Sequence, residues 1–151
     1  MVQPVRFLLA YTGTEFEDRY YEIGPDLSRE SWLKEKFTLG LDLPNLPYWI
    51  DGDVKLTQSR AILRHIAREK DPSLLGMTAV QQRRIDMLEN HMFDFWTALI
   101  NLCFRYTDND KDSFLMTLPK QLELISSFYN DRTWAVGDDL TYVDFVVYEA
   151  L

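Results

Sequence analysis

The stretch DLPNLPYWIDGDVKLTQSRAILRHIA, residues 42–67, sets two different signals side by side. Two short apolar runs flank Asp51-Gly52, a pair that favours a tight β-hairpin. Pro44 and Pro47 force an extended approach to it. Behind the hairpin, Ser59 precedes RAILRHIAREK, where Ile62, Leu63 and Ile66 recur at helical spacing. A hairpin running straight into an amphipathic helix marks an α/β unit. The pattern breaks in DPSLLG, at Asp71-Pro72 and Gly76, and a linker is expected over 71–77.

Upstream, Pro4 suits the first turn of a helix, Phe7, Leu8 and Tyr11 follow at helical spacing, and Gly13 can end it in a left-handed conformation. FEDRYYEI, residues 16–23, alternates imperfectly, with Phe16, Tyr20 and Glu22 on one side and Glu17, Arg19 and Tyr21 on the other. It is predicted to be a strand. Gly24 to Arg29 reads as loop, and SWLKEKF supports a short amphipathic helix carrying Trp32, Leu33 and Phe37. Downstream the pattern is helical throughout, from about Thr78 to Tyr106, from about Asp112 to Tyr129, and again from Thr141. The order predicts an α/β module at 1–70 followed by an all-α module at 78–151.

The 151 residues hold 16 Lys and Arg against 24 Asp and Glu, a net charge of -8, which argues against nucleic acid or an anionic membrane as partner. Hydrophobic residues at 46% and charged residues at 26% are globular values. A single Cys103 excludes an intramolecular disulfide, and with His65 and His91 as the only histidines no Cys/His zinc cage can form. Arg6 interrupts the apolar run MVQPVRFLLAY, so no signal peptide is expected and a cytoplasmic, metal-free protein is the default.

QPVRFLLAYTG, WLKEKFTLGLDLPNLPYWIDGDVKLTQSRAILRHIA and TYVDFVVYEAL together resemble a glutathione S-transferase, most closely of the mu class, in the family's order and near its spacing. The resemblance implies a thioredoxin-like first domain and a helical second domain. It implies glutathione as co-substrate with no resident cofactor, a hydrophobic electrophile as second substrate, a detoxifying conjugation, and a homodimer in the full-length form. Met1 falls just before the Gln-Pro that opens the family's first helix, so the strand bearing the catalytic tyrosine is expected to be missing. The family also continues beyond Leu151. The expected form is therefore an incomplete thioredoxin-like domain and a truncated helical one, of doubtful activity. The alternative is a non-catalytic glutathione-binding or dimerising interaction protein.

By the same resemblance, Asn45, Leu46 and Pro47 form the loop that pairs with the cysteinyl part of glutathione, with a cis bond before Pro47; on sequence alone an X-Pro bond favours trans. Gln58 and Ser59 would hold the γ-glutamyl carboxylate, at a helix start where amides lack internal partners, and Ser59 also reads as an ordinary N-cap. Trp32 and Lys36, one helical turn apart, would hold the glycyl carboxylate. Asp94 matches the acid that reaches across the dimer to the γ-glutamyl amine; on its residues alone it reads equally as a solvated carboxylate. Phe104 stands where mu-class enzymes usually carry a second tyrosine facing the electrophile, keeping the ring without the donor. No tyrosine present can be assigned the activation of the thiol, so no catalytic residue is named. Leu140, Thr141, Asp144 and Phe145 resemble the family's capping box and hydrophobic staple, a structural motif.

Overall fold

A computed structural model describes residues 2–104 and 107–151 of the chain. They form two compact units, Met1–Asp71 and Pro72–Leu151.

In the first unit, helix α1 (Gln3–Tyr11) carries proline in its first turn, where a missing N–H costs nothing. It ends in a Schellman motif: Gly13 takes φ +62°, Thr14 N–H donates to the Leu9 carbonyl at 2.9 Å, and Gly13 N–H to that of Ala10 at 3.2 Å. The buried face is Val5, Leu8 and Leu9, whereas Tyr11 is 55% exposed. The expected Phe7–Leu8–Tyr11 face is thus rotated toward Val5, because α1 packs on helix α3 (Ser59–Lys70), which buries Ile62, Leu63, Ile66 and Ala67.

The strand expected at 16–23 does not form; the segment is irregular. A strand needs a partner for its N–H and C=O groups, and among the described residues this segment has none in a ladder. Side chains fix it instead. Asp18 accepts from Arg6 Nε at 2.6 Å and Arg6 Nη1 serves Gln3, while Ser31 Oγ donates to the Glu22 carbonyl at 2.7 Å. Helix α2 (Glu30–Leu33) is shorter than expected and continues as turns, with Lys36 N–H on the Trp32 carbonyl at 2.9 Å.

Strands β1 (Tyr48–Asp51) and β2 (Val54–Thr57) pair antiparallel with Tyr48 opposite Thr57 and Asp51 opposite Val54. The two-residue loop is therefore Gly52-Asp53, one position beyond the expected Asp51-Gly52. Gly52 at φ +56° supplies the positive φ that a hairpin turn requires at its first central residue. The other edge of β1 carries no strand among the described residues. It faces the 14–19 segment across an open cavity of about 610 Å³ that Phe16, Arg19, Leu39 and Trp49 help to line.

In the second unit, the segment expected to be a linker contains a 3-10 turn, Pro72–Leu75, with Leu74 1% exposed. Helix α4 (Ala79–Phe104) buries Ile85, Leu88, Glu89, Met92 and Phe95 along one stripe; the end expected at Tyr106 lies outside the described residues. Helix α5 (Asp108–Tyr129) starts a turn earlier than expected, because Thr107 and Asp110 form a capping box. Pro119 lies inside α5 and removes the amide that would bond the Leu115 carbonyl. Helix α6 (Tyr142–Ala150) packs on α4, as α5 does.

The start of α6 is closed from within. Asp144 Oδ2 accepts from Thr141 N–H and from Thr141 Oγ1, both at 2.9 Å. Its Oδ1 accepts from Ala135 N–H at 2.8 Å and from the Tyr129 hydroxyl at 3.1 Å. The carboxylate thereby joins the end of α5, the turn at 135 and the first turn of α6. Among the described residues no helix is long and apolar enough to cross a membrane.

Candidate functional site

The hairpin register organises the first unit's candidate residues. Asn45, Leu46 and Pro47 lead into β1, and Gln58 and Ser59 follow β2, so the pairing of Tyr48 with Thr57 brings both groups to the same end of the hairpin. The Leu46–Pro47 peptide is cis. Asn45 Oδ1 accepts from Leu46 N–H at 2.9 Å, so the side chain of Asn45 already serves the amide that the resemblance offered to a ligand. The Leu46 side chain is 42% exposed.

At the other side of the hairpin, Gln58 occupies φ +71°, ψ 108°, a region that non-glycine residues rarely visit and that clusters at ligand sites. It stands at the N-cap position of α3 and makes no side-chain cap hydrogen bond. Ser59, expected as the cap, is instead the first helical residue and is 8% exposed. An N-cap accepts amide bonds from a non-helical backbone just outside the helix; Ser59 lies inside it, so its role as an ordinary cap is withdrawn. The first turn of α3 holds no acidic residue. The first amides of a helix have no partner within it, and the partial positive charge of this helix start suits a carboxylate.

Tyr48 also ties this end of the hairpin to α2. Its ring stacks on Trp32 with centroids 6.0 Å apart and planes 16° apart, and Tyr21 meets Trp32 edge-on at 5.2 Å. The Tyr21 hydroxyl donates to Glu35 Oε2 at 3.0 Å, and the hydroxyls of Tyr21 and Tyr48 are 2.9 Å apart. Arg19 Nη2 binds Glu35 Oε1 at 2.7 Å, and the guanidinium lies 5.5 Å from the Tyr21 ring centre. Burial, then the bonds to Tyr48 and Glu35, push the Tyr21 phenol well above its ordinary range. Lys36 is half-buried, its ammonium 5.3 Å from the ring centre of Phe37.

Sequence reasoning missed Tyr21, Tyr48, Glu35 and Arg19 as parts of this arrangement. One trace was present: Arg19 and Tyr21 were expected on the same side of 16–23, and they do face each other. Asp94 and Phe104 belong to the second unit, both on α4. Asp94 is exposed beside a groove of about 250 Å³ between α4 and α5, and Phe104 is 84% exposed. Among the described residues, no group of His, Cys, Asp and Glu side chains is placed to hold a metal ion.

Among the described tyrosines of the first unit, three are placed as follows. Tyr20 donates to Asp18 Oδ2 at 2.9 Å, Tyr21 to Glu35, and Tyr11 points from the exposed side of α1.

Family models for the glutathione S-transferase N-terminal domain and the glutathione S-transferase C-terminal domain match residues 2–68 and 93–151. The sequence is 47% identical over 154 aligned positions to glutathione S-transferase Mu 1 of Bos taurus, covering 100% of this chain and 70% of that protein. It is equally 47% identical to glutathione S-transferase 2 of Gallus gallus, covering 69% of that protein. The fold is similar to the crystal structure of the glutathione S-transferase Blo t 8, with a TM-score of 0.87 at 37% identity over 99% of this chain and 69% of that one.

Proposed function

The chain belongs to the glutathione S-transferase family, and from that premise we propose that its first unit binds reduced glutathione at the hairpin end defined by Tyr48. In this reading the γ-glutamyl carboxylate sits at the open start of α3, on Gln58 and Ser59, and the glycyl carboxylate on Trp32 and Lys36. The cysteinyl backbone lies against Asn45, Leu46 and Pro47. Tyr48 carries the reading, because it pairs with Thr57 two residues before Ser59 and stacks on Trp32. It thus joins two carboxylate-receiving groups, and glutathione is a tripeptide with a carboxylate at each end.

The reaction proposed is attack of the glutathione thiolate on an electrophilic carbon of a hydrophobic partner, forming a thioether with departure of a leaving group or addition across an activated bond. A free thiol of pKa about 8.5 is only a few per cent ionised at pH 7, so the site must stabilise the anion. No described tyrosine of the first unit is placed to donate to that sulfur. The proposed activity of these 151 residues is therefore slow, on the order of 10²-fold below a chain with a hydroxyl donor at the thiol. Asp94 and Phe104 are proposed to act in the assembled enzyme, a cytoplasmic homodimer, on the γ-glutamyl amine and the electrophile respectively.

Calorimetric titration with reduced glutathione tests the binding step, and saturable heat is expected. A flat titration of folded protein removes the reading. Conjugation to an aromatic electrophile, followed spectroscopically, separates the slow transferase from a binder without turnover. Sedimentation then reports the dimer.

A further inference from the structure

Helix α2 is four residues long, and its neighbours on the surface are open: Leu33 is 54% exposed and Phe37 77%. Trp32 nevertheless is 6% exposed. So short a helix cannot by itself fix a side chain, and the cover comes from residues far along the chain, Tyr48 on its face and Tyr21 on its edge. The hydrogen bonds among these residues have a direction. Tyr21 spends its one proton on Glu35 Oε2, so the Tyr48 hydroxyl donates to the Tyr21 oxygen, and Arg19 holds the other oxygen of Glu35. The relay runs from Tyr48 to Tyr21 to Glu35, with Arg19 closing it. Since Tyr48 lies in β1, opposite Thr57, the relay also fixes Trp32 relative to the start of α3.

We propose that Tyr48 and Tyr21, linked through their hydroxyls and anchored on Glu35, are positioning residues that hold the Trp32 indole in the orientation that receives the glycyl carboxylate of glutathione. This rests on the glutathione reading above and assigns to that site three residues that act through Trp32. Stacked and edge-on aromatic pairs contribute about 0.5–1.5 kcal/mol beyond area burial, which corresponds to roughly 2- to 13-fold in an equilibrium constant. That range is the size of effect expected from releasing the ring.

The discriminating measurement compares calorimetric affinities for glutathione and for γ-glutamylcysteine, which lacks the glycine. The unsubstituted protein is expected to prefer glutathione. Tyr48→Ala should lower glutathione affinity about 3- to 10-fold and leave γ-glutamylcysteine affinity unchanged. Tyr48→Phe, which keeps the stacking plane and loses the hydroxyl link, and Glu35→Gln, which weakens the anchor, should both fall between. If Tyr48→Ala does not fold, Tyr21→Phe and Glu35→Gln, which retain ring and shape, carry the same comparison. Equal losses for both ligands, or a preference preserved in every variant, overturn the positioning role while the glutathione reading stands. A starting protein that binds glutathione without preferring it to γ-glutamylcysteine removes the glycyl-carboxylate assignment and this proposal together.

Discussion

The starts of α3 and α6 meet the same liability in opposite ways. Every helix begins with amides that have no partner inside it. At α6 the chain supplies its own answer: Asp144 and Thr141 form a capping box, and the remaining oxygen of Asp144 gathers Ala135 and Tyr129. At α3 the N-cap residue Gln58 makes no side-chain cap hydrogen bond and is held at φ +71°. The first arrangement serves stability. The second leaves the cap position without the side-chain bond seen at α6, and in the proposed reading a carboxylate of the ligand answers there. An uncapped helix start with a strained neighbour is thus informative chiefly because another helix of the same chain shows the capped alternative.

The contrast can be broken most forcefully at α6. Asp144→Ala strips four acceptor bonds from a residue 7% exposed and leaves the Ala135 and Thr141 N–H groups buried without acceptors. A loss of about 3–5 kcal/mol is expected, since each orphaned buried donor costs about 1–3 kcal/mol. Urea unfolding followed by far-ultraviolet circular dichroism checks it, and a loss below 1 kcal/mol contradicts the network's importance.

At α3 the opposite trade is expected. Gln58→Gly relieves the unfavourable backbone conformation and should raise stability by about 1 kcal/mol, net of the added freedom of the unfolded chain. The same change removes a proposed ligand contact, so glutathione affinity should fall. Gain of stability with loss of binding, read from paired denaturation and calorimetry, sharpens the comparison; a destabilised variant would mean the φ +71° conformation costs nothing.

Ser59→Ala refines it further. Because Ser59 is inside the helix rather than at its cap, unfolding stability should stay within about 0.5 kcal/mol of the original. Glutathione binding should nevertheless weaken by about tenfold through loss of a hydroxyl beside a carboxylate. Unchanged binding would leave the helix amides as the whole of the anion site.

The smallest effect concerns alkaline pH and involves both units. Burial is the leading cause that raises the phenols of Tyr21 and Tyr129 above the ordinary value of 10.0. A group whose folded pKa is raised contributes its full stability below the unfolded pKa and loses it as pH climbs toward the folded one. Stability should therefore decline above about pH 10. Tyr129→Phe should flatten the decline in the second unit and Tyr21→Phe, on a less buried phenol, should do so less. An equally steep decline in the double variant would place its origin elsewhere.

What could be read from the residues follows the range of the interactions. The box at Thr141 and Asp144 spans three residues, and the end of α1 is decided by one glycine, so both were legible. The hairpin was legible too, but its loop was misplaced by one residue, because Asp51 can pair across the ladder whereas Gly52 is free to take positive φ. The strand at 16–23 failed because strand identity depends on a partner, which periodicity cannot supply. Within the candidate site, the residue types and the family resemblance marked Trp32, Gln58 and Ser59. Nothing local marked the stack of Trp32 on Tyr48 or the bond from Tyr21 to Tyr48, which join residues 16 and 27 positions apart.

Pro119 divides α5 into two lengths with different holds on the rest of the second unit. The later length carries Ile125, buried at 3% exposure, and ends at Tyr129, tied to Asp144. The earlier length shows Leu115 and Met116 to solvent at 48% and 82% exposure and lacks the backbone bond at the Leu115 carbonyl. Deuterium uptake should register this seam: amides from about Lys111 to Leu118 exchange through local opening, whereas those from about Leu122 to Tyr129 exchange only with cooperative loss of the packed unit. A single helix would then behave as two units of protection, with proline at the boundary.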